Sequence, residues 1–193
     1  MSKLNVVAFN GSPRERGNTS RLIWEVFSVL EGEGIGVNEI QVGNSKVQGC
    51  MACGECRTKD QARCSFDDDP MNEWGDAMCE ADGIILASPT YFANITSPMK
   101  ALIDRVGFSR GKLLRRKVGA PIVVARRGGE MQAYNALMAF FGITQMVVPC
   151  SSYWNVGFGL KPGDVDDDAE AANTMRDLGA NMAWVLKKLH AQG

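Results

Sequence analysis

Residues 4–9 form an apolar run that passes directly into Asn10-Gly11-Ser12-Pro13-Arg14-Glu15-Arg16-Gly17-Asn18-Thr19-Ser20. Beyond it, Leu22, Ile23, Val26, Phe27 and Leu30 recur at the spacing that lays one apolar stripe along a helix. A buried strand, a tight polar loop and an amphipathic helix in that order make a βα unit, with Asn18 or Thr19 the expected helix cap. A helix N-terminus offers free N–H groups and a partial positive charge, so the loop suits a phosphate. Ser12, Asn18, Thr19 and Ser20 add hydrogen-bonding side chains around the first turn, with Arg14 and Arg16 beside them. A capped turn without ligand is the plain alternative. So many hydroxyl, amide and guanidinium groups in one turn favour the phosphate.

The kind of phosphate follows from what the loop lacks. No G-x-x-x-x-G-K-S/T pattern supplies a lysine for a nucleoside triphosphate, and no G-x-G-x-x-G fingerprint marks a dinucleotide. A hydroxyl-rich loop suits a single terminal monophosphate. Here the chain resembles the flavodoxin-like FMN reductases, whose phosphate loop G-S-x-R-x-x-G-N-T/S is matched from Gly11 to Thr19. That resemblance implies that the loop holds the phosphate of FMN.

At 193 residues and 45% hydrophobic, the chain suits one domain with a substantial core, so residues 1–193 are expected to form a single unit. A net charge of −1 and the lack of a long basic stripe argue against a nucleic-acid partner. Residues 112–117 are the one basic cluster and read as a solvated loop. There is no run of 18 apolar residues to span a membrane and no signal pattern at the N-terminus. A cytoplasmic setting is expected, where thiols stay reduced.

That setting matters for the segment from about residue 44 to 69, which keeps neither strand nor helix period and reads as an insertion. It carries Cys50, Cys53 and Cys56 at successive x2 spacings and then Cys64. A reducing compartment disfavours disulfides. Structural zinc ordinarily takes two separated C-x2-C pairs. The compact C-x2-C-x2-C…C run is the pattern that wraps a 4Fe-4S cluster, for which thiolates are suitably soft ligands. Zinc, and thiols that bind nothing, remain open as alternatives. Together with the phosphate loop, the motif resembles the iron–sulfur flavoprotein branch of the same reductases. Cys79 and Cys150 read as small core residues, and the lone His190 as a surface residue of the last helix.

The second half continues the alternation. Residues 83–87 form a continuous apolar strand of the kind buried in parallel sheets. They lead into Pro89, Thr90, Tyr91, Phe92 and Asn94, and then a helix that Ser97 is expected to cap with Pro98 in its first position. Residues 120–125 make a fourth strand and run into Arg126-Arg127-Gly128-Gly129. A fifth strand is expected over 145–150, then an aromatic, glycine-rich loop over 151–159 and a last helix burying Met175, Leu178, Met182, Val185 and Leu189. The motif S-P-x-Y-F continuing to Lys100, Asp104 and Arg105 extends the resemblance. It implies that Pro89, Thr90, Tyr91, Phe92 and Asn94 meet the flavin, with Arg126, Gly128 and Gly129 against its ring.

The fold expected is α/β, a flavodoxin-like three-layer sandwich around a five-stranded parallel sheet in the order 2-1-3-4-5. The function expected is an FMN-dependent oxidoreductase in which Cys50, Cys53, Cys56 and Cys64 hold a 4Fe-4S relay. FMN itself is the redox centre, so no catalytic residue is assigned. NAD(P)H or ferredoxin is the expected donor. The resemblance implies a homodimer or homotetramer, with the loop around Trp154 as a contact. A cluster-free NAD(P)H-dependent FMN or quinone reductase and a flavodoxin-type electron carrier are the alternatives; the near-neutral charge weighs against the carrier.

Overall fold

The computed structural model describes residues 3–58 and 62–191. Its strands are β1 (Asn5–Asn10), β2 (Gly36–Gln41), β3 (Gly83–Pro89), β4 (Val118–Ala125) and β5 (Val156–Phe158), all parallel, in the order β2-β1-β3-β4-β5. This is the doubly wound order expected from the sequence. Part of the cysteine-bearing segment expected as an insertion, residues 59–61, lies outside the described residues, as do residues 1–2 and 192–193 of the chain.

Alternation along the strands sorts the core into two layers. Val7, Phe9, Ile84, Leu86 and Val123 pack against α3 (Met71–Glu80), α4 (Ser97–Arg110) and α5 (Glu130–Ile143). Val6, Ala8, Ile85, Ile122 and Val124 face α1 (Asn18–Gly32) and α6 (Ala169–His190). The α1 stripe Leu22, Ile23, Val26, Phe27 and Leu30 is fully buried, each such side chain contributing about 1.5–3 kcal/mol. A four-residue helix, α2 (Glu55–Thr58), lies among the cysteines.

Register decides where the loops go. Asn10 of β1 lies opposite Ala87 of β3, and Pro89 lies opposite Val124 of β4. The loops after these three strands therefore open at one edge of the sheet, where ligands bind in open parallel sheets.

The fifth strand is not where the sequence places it. Residues 145–150 contribute one bridge, Val147 to Val118, and Gln145 takes a left-handed φ of 59°. Val147 donates to Lys117 O and accepts from Gly119 N–H, both at 2.9 Å. The next ladder step would need N–H groups from Pro149 and Pro121, and proline has none. Asn155 Nδ2 donates to the Pro121 carbonyl over 2.9 Å instead, and pairing resumes with Val156–Phe158. The aromatic segment read as a loop thus supplies the strand, and Cys150, read as core, is exposed.

Other departures are smaller. Helix α1 starts with Asn18 itself, behind Gly17, because the Asn18 side chain is engaged elsewhere. Helix α4 is preceded by Thr96, which places Ser97 and Pro98 inside its first turn. On α6, Leu186 is buried and Leu189 is exposed. Among the described residues, no helix is long and apolar enough to cross a membrane.

Candidate functional site

The loop after β1 is built by its own side chains. Asn10 Oδ1 accepts from Ser12 N–H at 2.8 Å, and Ser12 Oγ accepts from Arg14 N–H at 3.1 Å. Asn10 Nδ2 donates to Ser20 Oγ at 2.8 Å and to Glu39 Oε1 at 2.7 Å, while Ser20 Oγ also donates to Glu39. Asn18 donates to Lys161 O over 2.9 Å and accepts from Gly163 N–H over 2.7 Å. Arg14 reaches Leu160 O at 2.9 Å. Most of the side chains singled out in the sequence therefore shape the loop. The first N–H groups of α1 have no partner within the helix, and Thr19 stands buried among them.

The loop after β3 is strained. Tyr91 and Asn94 exchange both backbone hydrogen bonds, at 2.8 and 3.0 Å, and the two residues between, Phe92 and Ala93, have φ of 49° and 57°. This is a two-residue turn with both centres left-handed, a geometry that favours Asn and Gly. The turn leaves the Phe92 ring fully exposed and Tyr91 half exposed. The neighbouring loop after β4 packs closely on it: a Cβ at Gly129 would lie 3.0 Å from Ala93, and its φ of 89° disfavours any side chain there. Arg126 and Gly128 are exposed beside it. Within this wall, Thr90 Oγ1 and Glu130 Oε2 are buried and lack a hydrogen-bond partner. Orphaned polar atoms at a sheet's ligand-binding edge suit the polar rim of a ring such as flavin.

The four cysteines of the insertion meet at a second place. Cys50, Cys53, Cys56 and Cys64 line one cavity of about 170 Å³, walled by Met51, Phe66 and Phe108. Cys50 and Cys53 are exposed, and Cys56 and Cys64 partly buried. The Ser65 hydroxyl, 3.5 Å from Cys53 Sγ, and the Glu55 N–H hold the Cys53 thiol below its ordinary value. Burial, and then the charges of Cys64, Cys50 and Cys53, push the Cys56 thiol up. Among the described residues, no three His, Cys, Asp or Glu side chains converge as ligands of a single metal ion would. All four thiols border that one cavity, a donor set suited to iron–sulfur chemistry and to zinc alike.

What shapes the cavity is α4. The Arg105 side chain is 1% exposed and paired with an Asp69 carboxylate that is 5% exposed. Its Nη2 donates to Phe66 O at 2.7 Å, its Nη1 to Gln48 O at 3.1 Å, and its Nε to Cys64 Sγ at 3.3 Å. Burial works to raise the Asp69 pKa, but the Arg105 hydrogen bond, the Gln48 and Met71 N–H groups and the guanidinium charge outweigh it and hold the carboxyl below its ordinary value. Five residues on, Arg110 donates to Ala62 O at 2.9 Å and Asn72 O at 2.8 Å. Asn72 in turn accepts from Cys64 N–H at 2.9 Å and donates to Cys64 O at 3.0 Å. Sequence reading gave Arg105 no structural part and missed Arg110 and Asn72. The available signal was that Arg105 falls beside Leu102 and Val106 on the apolar stripe of α4, where an unpaired arginine would not be buried.

Comparison with known proteins gives the family and the fold. The family described as NADPH-dependent FMN reductase matches residues 4–161. An iron-sulfur flavoprotein of Methanocaldococcus jannaschii is 35% identical over 196 residues, which cover 95% of this chain and 98% of that protein. Among solved structures, RosB with bound 8-demethyl-8-formylriboflavin-5'-phosphate aligns with a TM-score of 0.76 at 18% identity, over 97% of this chain and 81% of that one. A flavodoxin, WrbA-like protein from Agrobacterium tumefaciens aligns with a TM-score of 0.63 at 18% identity, over 97% and 99%. At those identities, the two structures speak for the flavodoxin-like fold.

Proposed function

The chain belongs to the NADPH-dependent FMN reductase family, within its iron–sulfur flavoprotein branch, and is a flavin-dependent oxidoreductase; on that premise we propose that it moves electrons between FMN and a 4Fe-4S cluster held on Cys50, Cys53, Cys56 and Cys64. The observation that carries this reading is the single cavity lined by all four thiols. The name of the Methanocaldococcus relative, an iron-sulfur flavoprotein, points the same way.

In this reading the chain is one FMN-binding domain with a cysteine-rich insertion at residues 44–69. The FMN phosphate takes the N-terminus of α1 and the loop from Ser12 to Ser20, mainly through backbone N–H groups and Thr19. Ser12, Arg14, Asn18 and Ser20 contribute by fixing the loop with their side-chain bonds. The flavin ring takes the wall made by Pro89, Thr90, Tyr91, Phe92 and Asn94 with Arg126, Gly128 and Gly129. Thr90 Oγ1 gains there the partner it lacks. When bound, FMN takes electrons in pairs and gives them up singly, and the cluster carries them one at a time.

The protein's own part is placement and charge. Arg126 and Arg127 stand exposed at the ring loop, where their charge favours an anionic reduced flavin or the phosphates of NAD(P)H. Ferredoxin and NAD(P)H are the donors this reading allows. The exposed Tyr153 and Trp154, in edge-to-face contact 4.7 Å apart, offer a surface for a second copy in a homodimer or homotetramer.

The test is Cys53→Ala purified without oxygen. The expected product keeps FMN and loses its iron. A variant that keeps wild-type iron, or a wild-type chain without iron, would contradict the cluster and leave a simple NAD(P)H-dependent FMN reductase.

A further inference from the structure

The Arg105 side chain is buried, rigidly held and aimed at one of the four cysteines. It lies 41 residues from Cys64 in sequence, and its Nε sits 3.3 Å from Cys64 Sγ. Three of its four other N–H groups are taken by Asp69, Gln48 O and Phe66 O, which hold the planar fork toward the sulfur. Resting on the cluster reading above, the geometry points to Arg105 as a positioning residue that sets the reduction potential of the cluster through an N–H···S bond to Cys64.

Reduction adds one electron to the cluster and its four thiolates, with no bond made or broken and no proton required. The added negative charge spreads onto the sulfurs. A donor bonded to a thiolate stabilises the reduced state more than the oxidised one, which raises the potential. Guanidinium does not deprotonate in proteins, so the donor is present at every working pH. Asp69 neutralises most of the guanidinium's net charge, which leaves the directional N–H···S bond as the main influence on Cys64. The same side chain fastens residues 48, 66 and 69 around the cavity. Position and tuning come from one group.

A purely structural clamp predicts something different. It would govern how much cluster the protein holds, not the potential of the clusters that are held. The experiment is a dithionite titration, followed by electron paramagnetic resonance, of the wild type and of Arg105→Lys and Arg105→Gln, all purified anaerobically. Dithionite supplies the single electron. Both variants are expected to shift to lower potential by about tenfold in the reduction equilibrium, equivalent to about 59 mV for one electron. Lysine should fall nearly as far as glutamine, because it restores charge to Asp69 and not the bond to sulfur.

A second measurement follows the bond itself. Wild-type protein grown on 15N-arginine should show an arginine nitrogen hyperfine coupling to the reduced cluster that Arg105→Lys lacks, a comparison that sets aside Arg57, which also lines the cavity. Unshifted potentials in iron-loaded variants, or wild-type clusters without that coupling, would overturn the proposal alone. Variants that keep FMN and lose the cluster entirely would make Arg105 a structural clamp, and would overturn it too. Iron-free wild-type protein would overturn the cluster reading and this proposal together.

Discussion

Thr96 donates its hydroxyl hydrogen to the Gly11 carbonyl over 2.9 Å, and Gly11 donates its own N–H to Ala87 O over 2.7 Å. One residue of the loop after β1 is thus bonded to the residue before α4 and to the end of β3, so the two loops proposed to hold the FMN phosphate and ring are tied through Gly11.

A Cβ at Gly11 would lie 2.9 Å from Thr96 Oγ1 and 3.2 Å from Ala87 O. Gly11→Ala must push the phosphate loop off the ring loop. FMN affinity should fall by roughly tenfold, about 1.4 kcal/mol, read as recovery of flavin fluorescence on titration. Unchanged affinity would place the phosphate elsewhere.

Thr90 Oγ1 is buried with no hydrogen-bond partner within the protein, an arrangement that costs about 1–3 kcal/mol. Thr90→Val keeps the shape and removes the orphan. The apoprotein should melt at a higher temperature, while FMN should bind more weakly. A variant that lost apoprotein stability and bound FMN as before would remove Thr90 from the site.

How far the sequence alone reached can be judged from these residues. The α1 stripe and the two-sided burial of β3 were legible, because apolar spacing reports directly on which faces are covered; the strand order followed instead from ligand loops placed after strands one, three and four and from the flavodoxin-like resemblance. The fifth strand was misplaced because Met146, Val147 and Val148 look like a strand, whereas the ladder there depends on N–H groups that Pro121 and Pro149 lack. At the phosphate loop the residue types were legible and their bonding was not. Asn18 and Ser20 are consumed by Lys161 and Glu39, partners 143 and 19 residues away. The Arg105 clamp was illegible for the same reason: its acceptors lie 36 to 57 residues away.

The Asp69–Arg105 pair gives a pH signature with a definite sign. The Asp69 pKa is lowered in the folded chain, so its contribution is fully present above the unfolded carboxylate value of about 3.9 and is lost as pH falls through the lower folded value. Asp69→Asn should destabilise the chain by about 3 kcal/mol at pH 7, since it leaves a buried guanidinium unpaired. The gap between wild type and variant should narrow below about pH 4. Denaturant melts at pH 7 and pH 3 decide it; a gap that stays constant would deny the carboxylate its charge in the native state.

Ser65 and the Glu55 N–H hold Cys53 low, while burial and its neighbours hold Cys56 high. At pH 7, a limiting thiol reagent should therefore modify Cys53 of the metal-free protein before Cys56, as mapped by peptide mass. Preferential labelling of Cys56 would contradict the arrangement of donors around the cavity.

The composition of the protein as it leaves an anaerobic column decides whether the four cysteines hold a cluster. Flavin, iron and acid-labile sulfide should be found at about one, four and four per chain, the content of FMN with a cubane on four thiolates. Flavin without iron and sulfide would contradict the central claim. It would leave the four cysteines around their cavity with no cluster to hold.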